Sequence, residues 1–317
     1  MTNRVPKVLT GIALLTVVIA VAGIRGAQGV GIALALGDAA IFAGLAGCAA
    51  IAVATALIVL SRTPRHCKRA HAWRWREAAL ALLCIVTIAA FSQAVVLLDY
   101  RCVALAPPSI DADLVRFDAL LGFHWPDLYG WLGAHAGLQR VLAVAYRSSI
   151  VQLVAVPFIL AITRRYDDLA EFMALFAFAL LVAVLVSTPF PARSAFVHFG
   201  IADPGTASTV SHYDLLRSGQ LRRFSLSDSQ GLVSMPSFHV MLALLLAYAV
   251  RHVRYVFPAA LALNAVMIAS SPTQGGHYLA DVLAGIVFGV LSIVAVRRRM
   301  AGSRVAATTA PRATHST

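Results

Sequence analysis

Charge is what this chain has least of. Asp, Glu, Lys and Arg make up 13% of its 317 residues, against about a quarter in a soluble domain. That shortage argues against a soluble helical protein. Lysine is nearly missing, appearing only as Lys7 and Lys68. With alanine and arginine abundant, the bias suits a GC-rich bacterial genome. Cysteine is limited to Cys48, Cys67, Cys84 and Cys102, and no pair has metal-ligand spacing, so the four read as ordinary thiols without a disulfide framework. There is no internal repeat and no low-complexity tract. The net charge of +12 does not gather on one amphipathic face. It falls between apolar runs and at the C-terminal end, which argues for membrane orientation and against a nucleic-acid partner.

Apolar residues, by contrast, make up 60% of the chain. They form runs near the roughly 20 residues a membrane span needs. Eight spans are predicted, at 8–24, 39–60, 77–98, 141–162, 169–189, 236–251, 254–271 and 277–296. The first is read as an uncleaved span, because Val8 to Ile24 is long for a signal segment. Arg4 and Lys7, the cluster from Arg62 to Arg76, Arg164 with Arg165, Arg251 with Arg254, and Arg297 to Arg299 then share one side. By the positive-inside rule that side is the cytoplasm, and both termini lie there. The expected organisation is two spans and a basic loop over 1–76, six spans over 77–296, and a basic, disordered tail over 297–317.

Two long segments face the other side. In the first, from Asp99 to Arg140, Leu114, Phe117, Leu120 and Leu121 recur at helical spacing among Asp111, Asp113 and Asp118. This reads as an amphipathic helix in the interface or as an irregular loop. The second, from Phe190 to Met235, is rich in Gly, Ser, Asp and Arg, and a loop that long is often functional.

Two short motifs carry chemistry. Ser234-Met235-Pro236-Ser237-Phe238-His239 opens span six, and His277-Tyr278-Leu279-Ala280-Asp281 opens span eight. Those spans run in the same direction, so both histidines are expected at the outer face. His277 and Asp281 are four apart on a helix and can touch. A carboxylate there fixes the imidazole tautomer and leaves the other nitrogen free to attack. Pro236 suits a first helical turn, Ser237 can cap it, and free amides there favour a phosphate. His239, one turn in, could donate a proton to the same anion. A His–His–Asp set could also bind zinc. A proton-relaying transporter or a non-catalytic lipid-binding protein are the other readings, although span eight turns apolar after Asp281.

Together these motifs resemble those of the type 2 phosphatidic acid phosphatase superfamily, and within it the branch of aureobasidin-sensitive inositol phosphorylceramide synthases. The resemblance spans about 77–296. It implies an all-α, polytopic membrane protein with a six-helix core and a metal-free, cofactor-free phosphohistidine mechanism. Carried over, His277 is the nucleophile, Asp281 its orienting carboxylate and His239 the acid that protonates the leaving oxygen. The substrate implied is a membrane lipid phosphate, with water, or an alcohol such as inositol, as acceptor. Two positions depart from the phosphatase pattern: Val186 stands where it has lysine, and Ser271 where it has arginine.

Arg193 is the expected substitute phosphate ligand, with Arg222 and Arg223 as rivals. Tyr146 and Gln152 could line a headgroup pocket or hold helices together by hydrogen bonds. His198 and His212 read as surface histidines. The expected setting is a bacterial inner membrane, with the site periplasmic or extracellular.

Overall fold

A computed structural model describes residues 4–309, apart from 30–32, 36–37, 106, 202–209, 222, 226–230 and 233. Its helices are α1 (Arg4–Gly29), α2 (Asp38–Arg62), α3 (Cys67–Ala72), α4 (Trp75–Leu105), α5 (Asp111–Leu120), α6 (Trp125–Gly133), α7 (Ala136–Ile162), α8 (Tyr166–Ser187), α9 (Ala195–His198), α10 (Val210–Arg217), α11 (Phe238–Ala249), α12 (Phe257–Gln274) and α13 (Leu279–Thr309). A short parallel pair joins β1 (Ala33–Ala35) to β2 (Arg223–Ser225). Cys48, Cys84 and Cys102 are free thiols.

Among the described residues, six helices are long and apolar enough to cross a membrane: α1, α2, α4, α7, α8 and α13. Many of their large apolar side chains point outward, including Phe42, Val144, Ile150, Val151 and Val287. An outer surface that apolar belongs against lipid, and the chain is an integral membrane protein. The expected sixth and seventh spans fold as α11 and α12, of 12 and 18 residues. At 1.5 Å per residue α11 is about 18 Å long, short of a hydrocarbon core of about 30 Å.

In lipid, helices associate through close packing rather than through escape from water. The buried contact residues fit that rule. Ala81, Ala94 and Ala170 pack with larger partners such as Phe91, Phe172 and Leu246, and Ala179 and Ala183 with Leu175, Met241 and Leu245. α4 lies against α1, α2, α7 and α8, while α11 lies against α7, α8, α12 and α13. Gly285 sets the α11–α13 spacing, since a Cβ there would come within 2.8 Å of the Ser237 carbonyl oxygen.

Polar groups then mark the two ends of the bundle. At one end Arg251 reaches Glu171 at 2.6 Å and Asp168 at 3.4 Å, His252 meets Asp168 at 3.1 Å, and Arg164 meets Glu77 at 3.1 Å. The start of α4, the α7–α8 turn and the α11–α12 turn therefore meet on one side. The starts of α11 and α13 lie at the other.

Four expectations change. α4 continues to Leu105, so Asp99 belongs to the helix and is 4% exposed. The segment expected as one interfacial helix forms α5 and α6, with Asp111 and Asp118 buried. Those carboxylates turn inward because the structure offers them donors, described below. Leu120 and Phe117, in contrast, are exposed. Finally, the expected tail begins as helix, since α13 runs to Thr309, and 310–317 lie outside the described residues.

Candidate active site

His277 follows Gly275 and Gly276, and this pair explains how it reaches its place. Gly276 has φ +64°, a conformation that costs glycine little. Any Cβ there would collide with the Ser194 hydroxyl and the Phe196 ring. The chain can thus pass close to α9, where the Ala195 amide donates to the Gly276 carbonyl at 2.7 Å. The turn ends in α13, whose free amides at Leu279 and Ala280 both donate to Asp118, each at 2.8 Å. That carboxylate caps the helix start. Burial raises its pKa, and the two amides draw it back.

Asp281 follows one turn later and is fully buried. Its Oδ2 accepts the Ser234 hydroxyl at 2.6 Å and the Tyr278 amide at 3.0 Å. Nδ1 of His277 lies 3.5 Å from the same oxygen. The imidazole is therefore held by Nδ1, and Nε2 is the nitrogen left to act.

His239 lies in the first turn of α11. Its Nδ1 is 3.1 Å from the Tyr146 hydroxyl, and the two rings stack with centroids 4.3 Å apart. His239 and His277 line one cavity of about 470 Å³, together with Tyr146, Arg147, Asp99 and Gln274. The structure thus brings together both histidines, from helices far apart in sequence. Tyr146 lines the cavity as one of the two pocket candidates. Gln152 lies elsewhere: it accepts from Asn264 at 2.8 Å and donates to Ser148 at 3.0 Å, which ties α7 to α12.

A second, smaller cavity of about 30 Å³ also has His277 in its wall, with Arg193, Ser194, Ser234 and Tyr213 among others. Arg193 is held by Asp111, which accepts its amide at 2.9 Å and its Nε at 3.2 Å. The same carboxylate accepts the Tyr278 hydroxyl at 3.0 Å. Burial and the Asp111 charge raise the Tyr278 phenol above its ordinary pKa, so it remains a donor. The Tyr213 hydroxyl is buried without a hydrogen-bond partner among the described residues, and burial raises its pKa too. One arginine, one phenol and two serine hydroxyls thus line the cavity beside His277.

The other expected ligands are placed differently. Ser237 makes no side-chain cap. Its amide donates to the Asp281 carbonyl at 3.1 Å, which locks α11 to α13 and occupies that one amide. Arg223 is exposed in β2, away from both cavities. Arg222 lies outside the described residues. The two loop histidines are half-buried rather than exposed: His212 meets the Tyr100 hydroxyl at 2.7 Å, and His198 packs edge-on against Tyr278. Among the described residues no three His, Cys, Asp or Glu side chains form a metal-ligand group.

An aromatic lid closes this end. Trp125 donates to the Pro272 carbonyl at 3.0 Å and stacks on Tyr129 and Phe199. It is 2% exposed, because α6 folds over the α12–α13 connection.

Residues 112–295 match a family model described as the PAP2 superfamily. No curated protein and no solved structure matches the chain.

Proposed function

The chain belongs to the PAP2 superfamily, a membership that points to phosphatase or phosphotransferase chemistry on lipid phosphates, and we propose that it is a phosphotransferase working through a phosphohistidine at His277. The observation that carries this reading is the pairing of a buried carboxylate with Nδ1 of His277 while His239 lines the same cavity. Asp281 holds the tautomer and favours the positive charge that forms on the ring. Arg193 and Tyr213 supply donors for phosphoryl oxygens. Arginine suits that task because its planar fork can donate twice.

In the first step Nε2 of His277 forms the bond to phosphorus. The bond from phosphorus to the lipid oxygen breaks, and His239 gives its proton to that oxygen. In the second step an alcohol oxygen forms a new bond to phosphorus. The P–N bond breaks, and His239 takes the alcohol proton. Positioning and charge stabilisation supply most of the acceleration in such reactions. No step calls for a metal ion or cofactor. The group moved is a phosphoryl or an inositol-phosphate type headgroup, and the larger cavity has room for more than water. A cavity of about 470 Å³ falls within the roughly 300–1,000 Å³ of ligand pockets. With water as acceptor the same residues would act as a lipid or polyprenyl phosphate phosphatase.

The setting is an eight-span protein in a bacterial inner membrane, with α11 and α12 completing the count. The basic turn that carries Arg251 lies at the end of the bundle opposite His277, which supports cytoplasmic termini and histidines on the periplasmic face. The deciding experiment incubates purified protein with labelled lipid phosphates, with and without inositol or other alcohols. A new phosphate ester supports transfer, and free phosphate alone marks a phosphatase. If His277→Ala retains either product at the wild-type level, the phosphohistidine is refuted.

A further inference from the structure

We propose that Asp99 binds the acceptor alcohol, accepting a hydrogen bond from a hydroxyl neighbouring the one that is phosphorylated, and thereby favours transfer over hydrolysis. This rests on the phosphotransferase reading and names the residue that would select its acceptor.

Asp99 lies in the last third of α4 and lines the larger cavity with both histidines. It is 4% exposed. The Leu232 amide donates to its carboxylate, and Oδ1 has no partner among the described residues. A buried carboxylate oxygen with nothing to accept is costly, the more so in a span. Among the described side chains with an unpartnered buried atom, Asp99 is the one that lines this cavity. None of the steps at His277 uses it. Asp111 and Asp118 have donors from the protein for their carboxylates; Asp281 and Asp99 each keep one oxygen without a partner among the described residues, and that of Asp99 belongs to a residue lining the cavity where substrate must lie.

The character of the cavity decides the class of ligand. Arg147, His239 and His277 also line it and disfavour a cationic ligand. Ser92 and Gln274 add groups that both donate and accept. A wall of this kind suits hydroxyls, which donate to Asp99 and accept from its neighbours. An acceptor with two adjacent hydroxyls could give one to Asp99 and present the other to phosphorus. The oxygen of the second then bonds to phosphorus as the P–Nε2 bond to His277 breaks, and its proton passes to His239. Asp99 moves no proton in these steps and touches no reacting atom, so it is a positioning residue.

The test uses the full chain, purified, as wild type and as Asp99→Asn, with a labelled lipid phosphate as donor. Each protein is given glycerol, which carries neighbouring hydroxyls, or ethanol, which has none. The readout is the ratio of phosphorylated alcohol to free phosphate. Both products come from the same folded molecules, so a partly unfolded variant leaves the ratio intact. Asn keeps an acceptor for the Leu232 amide. The expected result is a ratio about ten-fold lower for glycerol in Asp99→Asn, with the ethanol ratio unchanged. A ratio that falls equally for both alcohols, or for neither, overturns the role of Asp99 and leaves the phosphotransferase reading standing. If the wild type yields free phosphate alone with every alcohol, the transfer reading fails, and the proposal fails with it.

Discussion

Replacing Asp281 by Asn isolates the charge that holds His277, because the two side chains have nearly the same shape. The Asn oxygen could still accept the Ser234 hydroxyl and the Tyr278 amide, now 2.6 and 3.0 Å from Oδ2. What disappears is the negative charge 3.5 Å from Nδ1. At an effective dielectric of about 20, unit charges at that distance interact by about 4.7 kcal/mol. A hydrogen bond to a charged group gives a lower figure, about 1.5–3 kcal/mol. At about 1.36 kcal/mol per factor of ten, these bracket a rate loss of roughly ten-fold to a few thousand-fold. An amide N–H turned toward Nδ1 would also move the imidazole proton to Nε2, where it blocks attack. The assay is single-turnover transfer from a labelled lipid phosphate, with the phosphoenzyme trapped in alkali. Both its formation and its breakdown should slow, while the elution of the folded protein is unchanged. Turnover within about three-fold of wild type would refute the reasoning and leave Asp281 a helix-start residue only.

Other outcomes follow from the smaller cavity. Arg193→Lys cannot reproduce the fork held by Asp111, so kcat/KM for a lipid phosphate should fall at least about ten-fold, and a wild-type value would rule out a phosphate role. Asp111→Ala leaves Arg193 and the Tyr278 hydroxyl without their shared acceptor. Breaking a buried pair in this way costs about 3–5 kcal/mol, to be read as a lower thermal midpoint together with weakened turnover. Tyr213→Phe removes a hydroxyl that bonds nothing among the described residues, so stability should hold while KM rises about five-fold, on the order of 1 kcal/mol. An unchanged KM would take Tyr213 out of the phosphate site.

The long spans were legible in the sequence because a bilayer imposes their length and apolarity locally. Their ends were not. By hydropathy span three stops at Leu98, where Asp99 and Arg101 interrupt the apolar run, yet α4 continues to Leu105 and Pro107 and Pro108 follow. The Leu232 amide, more than a hundred residues away, helps a carboxylate to sit inside the helix. α5 misleads for the same reason. An amphipathic reading sends its aspartates to water, whereas Asp111 and Asp118 find Arg193, Tyr278 and the α13 amides.

Within the candidate site, the same distinction separates what a motif can display from what only the fold supplies. His277 and Asp281 stand four apart, a spacing that reads as one helical face; in the structure His277 precedes α13 and meets Asp281 across the helix start. His239 joins them because parallel spans start at one end. Ser234, Asp111 and Asp99 carry no such spacing, since each meets its partners across elements distant in the chain, and Tyr213 reaches the smaller cavity in the same way. One clue was present in Gly275-Gly276 ahead of His277, where a left-handed turn and a close approach to α9 both require the missing side chain. Ser237 shows the opposite case. A serine beside Pro236 reads as a cap, but its amide is spent on the Asp281 carbonyl. That contact holds α11 against α13, and with it brings the histidine of one motif to the cavity of the other.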